Sequence, residues 1–226
     1  MRTAFRVVLD MVGRAVEFLL AQPDPNATTG AVVTRLSGLR DRLEELARIH
    51  LAAQAAVAAA ISTKGELRAG LEQQIGALRG IAVTAAATAP ALKAHLRPFR
   101  RSLSESAFLA IAQVAVTEAL ALKEALMALG MPEVLLDSIN TDLDQFEAAI
   151  ARQQQSLNTQ VGAAAEMKLV ARDIMGVIRH FDALHKLRFR KDPELLFEWQ
   201  RARNVEWPAS EPPVATAPPV EGTTAA

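Results

Sequence analysis

Cysteine and tyrosine are absent from this chain of 226 residues, and aromatic residues make up only 4% of it. Without cysteine, disulfides, thiolate metal sites and cysteine nucleophiles are excluded together, and the composition suits a reducing compartment. A charge surplus of either sign is also missing. The 25 Lys and Arg balance 25 Asp and Glu, so no global field draws the whole protein to nucleic acid or membrane. The longest uncharged apolar run, Gly80 to Leu92, is too short to span a bilayer and contains Pro90. Arg2 and Arg6 ahead of Val7, Val8 and Leu9 imitate a signal peptide, but Asp10, Arg14 and Glu17 interrupt the apolar region. The expected location is cytoplasmic, with no membrane span.

Motifs for chemistry are missing as well. Helical bundles often hold paired metals through Glu-x-x-His on two helices, and here only a single Asp182-x-x-His185 comes near. There is no Gly-x-Ser-x-Gly, phosphate-cradling loop, dinucleotide fingerprint or His-Glu-x-x-His. Acid–base catalysis needs only two carboxylates placed by a fold, yet no pair is nominated. No catalytic residue, metal site or cofactor is expected, and the reading is non-enzymatic, with a bundle enzyme lacking recognisable motifs left open.

What is present is a helix-forming diet: alanine supplies about a fifth of the residues, with little of the β-branched and aromatic enrichment that strands want. The fold class is all-α. Its organising stretch runs from Pro132 to Arg188. From Leu136, a strict 3-4 alternation passes through Ile139, Leu143, Phe146, Ile150, Gln153, Leu157, Gln160, Ala164, Met167, Ala171, Ile174, Ile178, Phe181 and His185. A repeat kept in phase this long marks one helix burying a narrow seam against others. At 1.5 Å per residue it reaches roughly 85 Å, against roughly 45 Å for a compact globule of this chain length. An elongated antiparallel bundle of four principal helices, with long coiled-coil-like segments, is expected.

The first of these helices covers residues 2–21, with Phe5, Val8, Leu9, Val12, Val16, Leu19 and Leu20 on one face. The second begins near Thr28 and carries a parallel seam, Leu36, Leu39, Leu43, Leu46, His50, Ala53, Val57, Ala60, Lys64, Leu67, Leu71, Gln74, Leu78 and Ile81, reaching about residue 88. Thr63 and Glu66 have capping-box spacing beside Gly65, so a break near 62–65 stays open. Gly76 and Gly80 could permit close helix approach. Ser102 and Glu105 repeat the capping-box spacing and start a third helix that runs to about Leu129. Gly130-Met131-Pro132 then reverses the chain, with the proline in the first turn of the long helix, so the third and fourth helices form an antiparallel hairpin. Asp192-Pro193-Glu194 launches a short helix to about Arg203. The bundle domain spans 1–206. Residues 207–226, Pro/Ala/Thr-rich without hydrophobic period, are expected to be disordered.

The short helices cannot cover both long seams. The C-terminal halves of the long helices, roughly 64–88 and 158–188, should therefore meet each other or a second chain, most simply in a homodimer. Basic segments lie at helix ends: Lys93, Arg97, Arg100 and Arg101 around Phe99, and Arg179, Lys186, Arg188, Arg190 and Lys191 with Phe181 and Phe189. Arginine with interleaved aromatics can hold phosphates and stack bases; cations also simply complement helix C-termini. Arg97, Arg100, Arg101, Arg188, Arg190 and Lys191 are thus candidates for binding an anion or a partner.

The closing block, Arg188-Phe189-Arg190-Lys191-Asp192-Pro193-Glu194-Leu195-Leu196-x-x-Trp199-x-x-Ala202-Arg203-Asn204-Val205, resembles the C-terminal block of a group of uncharacterised bacterial all-helical proteins. That resemblance covers some eighteen residues and implies no activity. Leu195, Leu196 and Trp199 give the short helix an apolar face that either docks back on the bundle or meets a partner protein. The leading functional expectation is a structural or protein-interaction role with self-association. The alternative is binding of nucleic acid or another polyanion through the basic helix ends at 93–101 and 179–191.

Overall fold

The computed structural model describes residues 2–22, 28–84 and 103–206. Every regular element among them is a helix: α1 (Arg2–Ala21), α2 (Thr28–Thr84), α3 (Glu105–Ala121), α4 (Lys123–Ala128), α5 (Leu135–Arg188) and α6 (Pro193–Ala202). The basic segment at 93–101 with Arg97, Arg100 and Arg101, the Ser102 cap and the 207–226 tail lie outside the described residues.

Both heptad seams are used as spaced. Every seam position of α2 from Leu36 to Ile81, and of α5 from Ile139 to His185, is buried or half-buried. α2 continues through Ser62–Glu66 without interruption. The capping-box spacing there is only local, and Ser62 Oγ instead donates to Glu66 Oε1, 3.1 Å away on the same helix. Gly76 and Gly80 are exposed, and a side chain added at either meets nothing within 4 Å among the described residues. Among the described residues they mark no close approach of helices.

The chain clusters into two compact units, residues 46–166 and residues 1–45 with 167–226. In the first, one core joins Leu71, Ile75 and Leu78 of α2, Phe108, Ala112, Ala115, Val116 and Ala119 of α3, Leu126 of α4, Met131, and Leu136, Ile139, Leu143 and Phe146 of α5. Phe108 and Phe146 meet edge to face with centroids 5.5 Å apart. Polar seam residues answer one another around it. His50 Nδ1 donates to the Gln160 carbonyl at 3.2 Å, Lys64 Nζ donates to Gln153 Oε1 at 2.6 Å and pairs with Glu105, and Gln74 donates to Asp142 at 2.8 Å. The partner's number falls as the α2 number rises. Gln153, which interrupts the α5 seam, therefore meets a polar partner on α2 through its side chain, whereas Gln160 meets His50 through its backbone carbonyl.

Two helix ends differ from expectation. The cap of α3 is Ser104, whose Oγ accepts from Ala107 N–H at 3.3 Å, which makes Glu105 the first helical residue and leaves its carboxylate to Lys64. The third helix is also split at Leu122 (φ −115°, ψ 17°), where no proline or glycine gives warning. At the reversal, Gly130 takes φ +95°, Met131 N–H donates to Leu126 O and Gly130 N–H to Met127 O, both at 3.0 Å. This is the Schellman arrangement, completed by the buried Leu126 and Met131. Pro132 precedes α5 by three residues instead of sitting in its first turn.

The other unit buries Val7, Met11, Ala15 and Phe18 of α1 with Leu36 and Leu43 of α2, and Ile174, Ile178, Phe181 and His185 of α5 with Trp199 and Ala202 of α6. The expected face of α1 is buried in large part, with Val12 and Leu19 inside, Phe5, Val8, Leu9 and Val16 half-buried and only Leu20 exposed; burial extends further round the helix than expected, to Val7, Met11, Ala15 and Phe18. Phe18 meets His185 of α5 and Trp199 of α6, which draws the adjoining side of α1 inside as well.

Replacing the fully buried Ile174 with Ala should cost about 2–4 kcal/mol in denaturant unfolding. Gly76→Ala, in open space within a helix, should instead stabilise by about 0.5–1 kcal/mol. A neutral Ile174 variant would show that the seam faces elsewhere.

Candidate interaction surface

Asp192 caps α6 by accepting from Leu195 N–H at 3.1 Å, and Pro193 fills the first turn. The short helix is thereby fixed in register, and Trp199 and Ala202 point inward while Leu195 and Leu196 are half-buried. Trp199 is 0% exposed. Its indole N–H donates to Asp182 Oδ1 at 3.2 Å, and its ring lies 5.5 Å from Phe18 and 4.5 Å from His185. His185 is 3% exposed and also meets Phe18, Phe181 and Phe189 with centroids 5.2–5.9 Å away. Four aromatic rings thus enclose one imidazole, in a chain with few aromatics to spend.

Asp182 ties this cluster electrostatically. Besides Trp199 it holds Arg203 Nε and Lys186 Nζ, each at 2.8 Å. Partial burial alone would raise its pKa. The Lys186 hydrogen bond, the Arg203 charge, the Trp199 hydrogen bond and the Lys186 charge together outweigh this and hold it below 3.8. The Asp182-x-x-His185 spacing therefore belongs to a structural cluster, and among the described residues no group of three or more metal-ligating side chains occurs.

The basic residues divide. Arg188 donates to Gln22 O at 3.5 Å and lies 5.0 Å over the Phe189 ring, closing the end of α5 against the end of α1. Arg14 donates to Asn204 O at 2.6 Å, fastening the chain after α6. Arg190 and Lys191 are exposed in the turn between α5 and α6.

A surface that the composition did not reveal lies in the middle of α2. From Ile49 to Thr63 there is no Asp, Glu, Lys or Arg, and no residue of α2 between Ala53 and Leu71 is buried. On α5 none is buried between Ala149 and Ala163. Of the C-terminal halves of the long helices, expected to meet each other or a second chain, Leu71, Ile75 and Leu78 of α2 are buried with α3, and the last turns of α5 with α1 and α6. The middles are what remain open. Leu51, Gln54, Ala58, Ile61 and Gly65 follow a second 3-4 alternation on the exposed side, with Leu51 40% and Ile61 49% exposed. His50 and Gln54 break the apolar run by letter, which hid it from a search for uninterrupted hydrophobicity. By length and composition alone, a window within Gly30–Ile81 is apolar enough to cross a membrane, and only 11% of it is buried.

No protein-family model, no curated protein and no solved structure matches this chain.

Two tests follow from the α6 dock. Trp199→Ala should cost about 3–5 kcal/mol and expose residues 193–203 to limited proteolysis; an unchanged melt would remove Trp199 as the anchor. Because the folded pKa of Asp182 is lowered, its contribution is complete above about pH 4 and is lost as pH falls through the folded value. Asp182→Asn should therefore flatten the acid limb of the stability curve below about pH 4.

Proposed function

We propose that this is a non-enzymatic interaction protein that self-associates through the middle of α2. The observation that carries the reading is the exposed stripe of Leu51, Gln54, Ala58, Ile61 and Gly65, which keeps heptad spacing and carries no charge. A second copy presents the same stripe, so the surface is its own complement under two-fold symmetry. Alanine and glycine allow close backbone approach, and Gln54 supplies the single polar position that fixes register in such pairings. We also read the helices of the unit at 46–166 as an antiparallel bundle, supported by the falling α5 numbers that meet rising α2 numbers.

A bilayer is the poorer occupant. The α5 segment running beside this stretch carries the exposed Arg152, Gln154, Gln155 and Asn158, and burying this charge and these amides in lipid is costly. Burying the exposed half of Leu51 and Ile61 contributes roughly 1 kcal/mol per side chain, so about 4 kcal/mol over two copies before the alanines are counted. A micromolar dimer needs about 8 kcal/mol. The alanine surface must supply the rest, and the affinity should be micromolar or weaker.

The polyanion alternative rests on fewer residues than the sequence offered, since Arg188 is engaged with Gln22 and Phe189. Arg190 and Lys191 remain exposed to meet a partner of either kind.

Leu51→Glu combined with Ile61→Glu touches no buried position. In sedimentation equilibrium the wild-type chain should associate with rising concentration, and the double variant should stay monomeric with unchanged circular dichroism. A wild-type monomer throughout, or equal association by the variant, would overturn the reading.

A further inference from the structure

The unit formed by residues 1–45 and 167–226 holds a groove that its core does not require. The early turns of α2 contribute Val32 and Arg35, and α5 contributes Arg172, Asp173, Gly176, Val177, His180 and Phe181. The space is about 290 Å³, at the small end for a ligand pocket. Two features set it apart from an ordinary seam between helices.

The first is electrostatic. Arg35 and Arg172 come from different helices, line one groove, and make no hydrogen bond or ion pair among the described residues. Elsewhere in this unit Arg14, Arg40, Arg188 and Arg203 each hold a carbonyl or carboxylate. Two arginines from two helices line the same space, and the exposed His180 adds a third nitrogen-bearing group. Against them stands one carboxylate, Asp173, so the lining is net cationic. The second feature is the floor. Val177 and Phe181 are buried, Val32 is half-buried, and Gly176 leaves out a side chain just where one would fill the groove. A Cβ added at Gly176 meets nothing within 4 Å.

We infer that this groove binds a phosphate monoester carrying a small apolar body, with the phosphate between Arg35 and Arg172 and the apolar part over Val32, Val177 and Phe181. Guanidinium forks match phosphate oxygens in bidentate geometry, and two of them suit a dianion better than a single carboxylate. His180 is placed to donate to a remaining oxygen. Asp173 weakens the site by repulsion and favours ligands with a hydroxyl or amine beside the phosphate.

The test uses the full-length protein and phenyl phosphate as probe, with inorganic phosphate and benzyl alcohol for comparison, read by calorimetric titration. Phenyl phosphate should bind saturably at one site, inorganic phosphate more weakly and benzyl alcohol not at all. Arg35→Gln and Arg172→Gln should each weaken binding about tenfold or more, the scale of a lost hydrogen bond between charged partners. Asp173→Asn should tighten it. Gly176→Leu, which fills the groove without changing charge, should abolish it. All four substitutions lie at exposed positions, and the melting curve of each verifies the fold. No saturation at millimolar probe would overturn the inference. So would undiminished binding by Gly176→Leu, or equal weakening by Arg190→Gln outside the groove, which would reduce the effect to general surface charge.

Discussion

Two helices of 57 and 54 residues must each keep one narrow apolar seam out of water along their whole extent, and the remaining helices are too short to do it for them. The rest of the structure follows from that shortage. At one region α3 and α4 cover α2 and α5 with a core of leucine, isoleucine and phenylalanine. At another, α1 and α6 cover the last turns of α5 with aromatic rings. In the middle of the helices of the unit at 46–166, among the described residues, α2 and α5 have mainly each other. There the seam changes character from large apolar side chains to alanine and to paired polar groups.

Those polar groups explain how an incompletely covered stretch keeps its register. A seam of alanine alone would tolerate sliding by a heptad, because each position offers nearly the same small volume. Lys64 reaches Gln153 and Glu105, and Gln74 reaches Ser138 and Asp142, so particular side-chain donors meet particular side-chain acceptors, while His50 holds the Gln160 carbonyl. A slip of one heptad would leave half-buried donors without acceptors, which costs more than the bonds themselves contribute. The same stretch therefore combines low apolar burial with a defined alignment, and it leaves an uncharged face outward. Self-association is the reading that gives that face a use.

The C-terminal block solves a different problem. Of the eight phenylalanines and two tryptophans in the chain, Phe18, Phe181, Phe189 and Trp199 gather around one histidine. Large rings bury much area per residue, and edge-to-face pairs add about 0.5–1.5 kcal/mol each. That suits a ten-residue helix, which has few side chains with which to hold on. Asp182 makes the dock directional by binding Trp199, Arg203 and Lys186 at once. Arg14 and Arg188 then hold backbone carbonyls at its edges, so much of the basic character of this segment is structural.

Periodicity determined a great deal by itself. The all-helical class, the positions of α1, α2, α5 and α6, the two seams and the Gly130 reversal are all legible in order, because each depends on spacing along a single helix or on one residue's backbone freedom. What periodicity cannot express is how far round a helix burial extends, and so Val7, Met11 and Phe18 join Val12 and Leu19 in the core only where Phe18 meets the rings of α5 and α6. Nor can it express the split at Leu122, which no local residue marks, or the loss of Glu105 from a capping role to the Lys64 pair across helices. The uncovered middle of α2 and the groove of Arg35 and Arg172 belong to this second class. Both are properties of what does not arrive to cover a surface, and that is fixed only when the other helices have taken their places.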